Sequence, residues 1–142
     1  MTAATSPLRR GAALSGLCLL LWVANAAALP ARAFERAEIF ATCSGRLAAL
    51  ATRQRALNEA GADGNAQLAR AFESLVEATM PDAVDDGVPP GHDRVWRGRG
   101  WGEVAGLLAD VDYSFDASRA ERALIAVEAR IAACRGVLLP VR

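Results

Sequence analysis

Six residues, Trp96-Arg97-Gly98-Arg99-Gly100-Trp101, form the most unusual local composition in the chain, two guanidinium groups set between two indoles. A guanidinium presents a planar fork of donors to an anion and stacks on an aromatic face. Trp96, Arg97, Arg99 and Trp101 are therefore the candidate binding residues for an anion or an aromatic small molecule. The competing expectation places Trp101 in a core and Trp96 at the end of the fold, with both arginines solvated. Stacked bases of single-stranded nucleic acid call for similar chemistry, but the charge balance argues against that ligand. Beyond residue 33 there are thirteen arginines against sixteen acids and no lysine. A mildly acidic chain lacks the basic field on which nucleic-acid binding draws.

Other chemistry-bearing patterns are sparse. His92 is the single histidine and lies in PPGHD, with Asp85, Asp86 and Asp93 as its nearby carboxylates. A metal site needs several converging ligands, so a loop histidine or helix cap is the expectation, with no metal. Met80 and His92 would have to serve as axial ligands of a non-covalent haem, and both sit beside prolines. No Ser-His-Asp set can be assembled, and no GxxxxGK[ST] loop, CxxC or CxxCH occurs. The expectation is a protein without cofactor and without catalytic residues, not an enzyme.

The N-terminus bears on the cysteines. MTAATSPLRR carries two arginines and no acid, Gly11 to Leu29 is almost unbroken apolar chain, and Pro30-Ala31-Arg32-Ala33 follows. A basic start, an apolar stretch and a small-x-small site are the parts of a secretory signal peptide. Residues 1–33 are read as that signal, cleaved after Ala33, with 34–142 as one helical domain. Ala24-Asn25-Ala26 is a second possible cut, and an uncleaved signal would act as a membrane anchor. Cys18 is expected to leave with the signal; Leu17 before it does not suit lipid attachment. The destination is then periplasmic or secreted, in a bacterium. There an even count of cysteines favours a disulfide, here Cys43 to Cys134, over two free core thiols.

These residues require helices to position them. Phe34 to about Asn58 reads as a first helix, with Phe40, Leu47, Leu50 and Leu57 on one stripe. Gly61 to Asn65 reads as a turn, with Asn65 capping a second helix that buries Leu68, Phe72, Leu75 and Thr79, beside Val76, and stops at Pro81. Residues 81–92 read as a connector. A third helix starts near His92 or Asp93 and turns Trp101, Val104, Leu108 and Val111 inward, with Phe115 packing at its end. Gly98, Gly102 and Gly106 suggest close approach of another backbone; alternatively, residues 97–102 are not helical. Ser118 to Glu121 fits a capping box for a fourth helix, with Leu124, Val127, Ile131 and Leu138 inward and Gly136 as its terminator. The expected class is all-α, a four-helix bundle or two packed helical hairpins. Cys43 falls on the first inward stripe and Cys134 on the fourth, so a bridge would join the first helix to the last.

The segments CSGRLAAL around Cys43, SLVEATMP, VWR and AVEARIAACRGVLLP around Cys134 resemble small exported two-cysteine helical proteins of alphaproteobacteria, an uncharacterised group. The resemblance spans most of the chain after residue 33, and WRGRGWG departs from it as an irregular helix. It implies a periplasmic two-cysteine helical domain and no particular activity. The functional expectation is a non-catalytic interaction or structural module whose partner is a periplasmic or envelope protein. The alternative is the small-molecule or anion binder built on residues 96–101.

Overall fold

In a computed structural model, which describes residues 29–138, the chain forms four helices: α1 Ala33–Ala56, α2 Ala62–Asp85, α3 Asp93–Tyr113 and α4 Ala117–Leu138. The all-α expectation holds, with no strand among the described residues. Most of the expected signal segment, Cys18 included, lies outside the described residues. Among those described, no helix is long and apolar enough to cross a membrane.

Side-chain pairs fix the directions of the helices. Ser44 meets Glu73 and Gln54 meets Asn65, so α2 runs antiparallel to α1. Arg46 meets Glu103 and Arg53 meets Asp112, so α3 runs parallel to α1. Glu103 meets Arg130 and Asp110 meets Arg119, so α4 returns antiparallel to α3. The result is an up-down-up-down bundle built around α1, which packs against all three of the others.

The sequence of α1 suits that central place. Ala37, Ala41, Ala49 and Ala51 are buried together with Phe40, Cys43, Leu47 and Gly45. Small side chains spread around the helix let neighbours approach on more than one side. Toward α2, Phe40 packs against Phe72 with ring centroids 6.1 Å apart. Toward α3, the backbones meet at two glycines. A Cβ on Gly45 would overlap the carbonyl of Arg97, and one on Gly100 would overlap the carbonyl of Thr42. The glycine expectation was thus right in kind and wrong in place. Gly98, Gly102 and Gly106 have nothing within 4 Å of an added Cβ, because they lie on the opposite side of α3. Residues 97–102 are helical throughout.

Several boundaries also differ. α2 runs through Pro81, which is exposed and one turn from the helix end, so its missing N–H and the crowding of the Glu77 carbonyl fall where water can compensate. The helix stops at Gly87 instead. Gly87 takes φ 96°, its N–H donates to Val84 and that of Val88 donates to Ala83, which is a Schellman closure. Asn58, at φ 53°, closes α1 in the same way, with Glu59 N–H donating to Gln54. This chain reversal at 57–61 lies earlier than the expected turn at 61–65. Asn65 is no cap; it lies one turn inside α2 and is buried. α4 is capped by Asp116 rather than Ser118. The Asp116 carboxylate accepts from the N–H groups of Ser118 and Arg119 at 2.9 and 3.2 Å, relieving two orphan donors of the first turn. Gly136 lies within α4 and does not end it.

Candidate functional site

α3 carries all four candidate binding residues. The crossing at Gly100 decides where each of them points. With Gly100 against α1, positions one turn away in either direction, Trp96 and Val104, also face inward, followed by Leu108. Trp96 is accordingly the core indole, only 7% exposed, with its ring 4.8 Å from that of His92 in an edge-on arrangement. Trp101 is the outer one, 39% exposed, the reverse of the expected assignment. Counting by fours from Val104 reaches Gly100 and Trp96, and that register was available in the sequence.

The two arginines leave α3 on opposite flanks of the crossing. Arg97 pairs with Glu73 of α2, and Glu73 also accepts from the Ser44 hydroxyl at 3.4 Å. Arg99 pairs with Glu38 of α1. Each lines a different groove. Arg99 borders a groove of about 530 Å³ with Glu38, Ile39, Thr42, Arg46 and Glu103, and Cys43 reaches its wall. Arg97 borders a smaller one of about 130 Å³ with Ser44, Glu73, Glu77 and Asp93. The four residues therefore do not converge on one ligand-sized site, and both guanidinium groups already face a carboxylate.

Polar groups elsewhere act as ties between helices. Glu103 accepts from Arg46 Nε at 2.9 Å and from Arg130 Nε at 2.6 Å, which links α1, α3 and α4. Partial burial pushes its carboxyl up, but the hydrogen bonds from Arg130 and Arg46 and their charges outweigh this, holding it below the usual range. Arg53 spans Asp112 and Glu59, joining the C-terminal ends of α1 and α3 to the first turn. Its hydrogen bond holds the Asp112 carboxyl low, and the same bond raises Arg53. Asn65 donates to Gln54 at 2.8 Å and accepts from Arg135 at 2.9 Å, so one buried amide connects α1, α2 and α4. Sequence reasoning missed these three hubs, since acids and amides at helical spacing look alike whether solvated or shared.

Cys43 and Cys134 form the expected disulfide, with Cα atoms 5.4 Å apart and both residues buried. Among the described residues, no group of three or more His, Cys, Asp or Glu side chains is placed to hold a metal ion. His92 sits at the N-cap position of α3 without a side-chain capping bond.

Apolar side chains that the fold leaves outside are a further feature. Phe115 is fully exposed, Tyr113 is 79% exposed, and Leu124 and Ile125 also face solvent. Phe115 and Leu124 were expected inside. Ala123 takes the inward place beside Val127 and Ile131, which turns Leu124 to the flank. Phe115 lies in the short link between α3 and α4 and packs against neither. No family model, no curated protein and no solved structure matches the chain.

Proposed function

We propose that the chain is a non-catalytic interaction or structural module working outside the cytoplasm, in the bacterial periplasm or beyond, after residues 1–33 have directed its export. The observation that carries this reading is the pairing of a covalently clasped scaffold with a surface left apolar. Cys43 and Cys134 tie the first helix to the last, and a disulfide of this kind persists where thiols are not kept reduced. Tyr113 and Phe115 at the α3–α4 link and Leu124 and Ile125 on α4 meanwhile stay exposed, and large apolar side chains held in water are a feature of contact surfaces. The basic start and apolar run of the N-terminal segment support export.

Support for an interaction module over an anion binder comes from the arginines. Arg97 and Arg99 each face an acid on separate flanks, so an anion would have to displace a carboxylate to reach either one. The fitting partner is an envelope or periplasmic protein with a complementary apolar patch. Affinity capture from a cross-linked periplasmic extract tests the reading. A partner retained by the native protein and lost on Phe115→Asp with Ile125→Glu is the expected result. Equal retention by both proteins, or no partner in repeated trials, would refute it.

A further inference from the structure

We propose that the outward face of α3 is the interface of a homodimer, in which α3 packs antiparallel against α3 of a second copy about a two-fold axis passing between Gly102 and Gly106. This rests on the reading of the chain as an interaction module and adds a second copy of the chain to the envelope or periplasmic partner of that reading. Val95, Gly98, Gly102, Gly106, Ala109 and Tyr113 recur at helical spacing on the side of α3 opposite its contact with α1. The face spans about 27 Å at 1.5 Å per residue and carries no charge. Its ends are apolar side chains held in water, Val95 at 60% and Tyr113 at 79% exposure. Its middle is three glycines with open space above them. Glycine inside a helix is destabilising, and no contact among the described residues explains these three.

The charges beside this face favour a second copy as the occupant. By helical position, Arg94 and Asp112 lie on one flank, and Arg99 and Asp110 on the other. In an antiparallel two-fold pair, equal flanks meet and residue numbers run in opposite directions. Centred on residue 104, that arrangement sets Arg94 beside Asp112 of the other copy and Arg99 beside its Asp110. It also sets Gly102 against Gly106 and Val95 against Tyr113. A parallel pair would instead place each charge against its own like. A layout complementary to itself in one orientation suits a second copy of the same chain. Three of these four charges already hold partners within the chain, Asp112 with Arg53, Asp110 with Arg119 and Arg99 with Glu38, and would share them with the second copy. Among the described residues, Arg94 has no ion-pair partner. The glycines let two helix axes approach closely, as Gly45 and Gly100 do between α1 and α3.

The test is sedimentation velocity on the full gene product, purified as the cell delivers it, from micromolar to near-millimolar concentration. A concentration-dependent dimer is expected. Gly102→Leu fills space that is open in the single chain, so helicity is retained while the dimer dissociation constant rises about tenfold or more. Arg94→Glu, wholly on the surface, weakens the dimer through charge and serves if the leucine disturbs α3. A Val95→Cys chain mixed with a Tyr113→Cys chain should cross-link, whereas neither variant alone should. A monomer throughout overturns the proposal, as does a dimer insensitive to these changes and lacking the mixed cross-link. A monomer would leave capture of a different partner to its own experiment, so the two readings fail separately.

Discussion

Replacing Cys43 and Cys134 together with alanine removes the clasp between α1 and α4 and leaves their inward registers in place. The bridge joins positions 91 apart in sequence. On the chain-entropy relation, releasing a loop of that size restores about 15 cal/mol/K to the unfolded chain, or about 4.6 kcal/mol at 25 °C. Both sulfurs are buried, so the small void left behind adds about 1 kcal/mol at most. Unfolding a helical domain of roughly 110 residues changes entropy by about 0.23 kcal/mol/K, so the double variant should melt about 20 °C lower. Far-ultraviolet circular dichroism during heating reads the midpoint. Reduced native protein, which keeps its sulfurs, separates the cross-link from the void. A drop smaller than about 5 °C in both samples would refute the reasoning, and two free thiols in the native protein would remove its premise.

Gly100→Ala and Gly45→Ala each force the α1–α3 backbones apart and should cost about 1–3 kcal/mol in urea midpoints. Gly136→Ala, in a helix and with open space around it, should stabilise by about 0.5–1 kcal/mol. Asp116→Ala should cost about 1 kcal/mol by uncapping α4, whereas Ser118→Ala should cost little; the opposite ranking would restore the capping box. The Glu103 and Asp112 carboxyls are held low in the folded chain, so the unfolded chain binds more protons in acid. Their contribution is whole above the unfolded carboxylate range and is lost as pH falls through the folded values. Glu103→Gln with Asp112→Asn should therefore flatten the acid limb of a urea-midpoint profile between pH 7 and pH 2, and an unchanged limb would count against both ties.

Helix number and class were legible because alanine-rich, strand-poor segments with apolar residues at helical spacing leave few other folds open. The cysteine pairing was legible for the same reason, since Cys43 and Cys134 fill vacant places on stripes set by their apolar neighbours. What failed were the local signals that a single residue type can carry in two ways. Pro81 reads as a stop, yet near a solvent-facing end it is tolerated, and Gly87 ends the helix. Asn65 reads as a cap, yet its amide is spent on Gln54 and Arg135. Ser118 with Glu121 reads as a capping box, yet Asp116 takes the Ser118 N–H that Glu121 would have reached, along with that of Arg119.

The candidate site shows the same ambiguity on a larger scale. In WRGRGW the eye pairs Trp with Trp and Arg with Arg, but a helix separates neighbours by about 100°. Gly100, the least conspicuous residue of the six, fixes the register by allowing contact with α1 at Thr42. Once it faces inward, Trp96 must be core, Trp101 must be outside, and Arg97 and Arg99 must part to opposite flanks. A motif that suggests a ligand as a string becomes a helix crossing braced by Glu73 and Glu38 on either side. Interest then passes to what the crossing leaves uncovered. A helix pressed against α1 along Trp96, Gly100 and Val104 must turn Gly98, Gly102 and Gly106 the other way, where none of the described residues lies within 4 Å of an added Cβ.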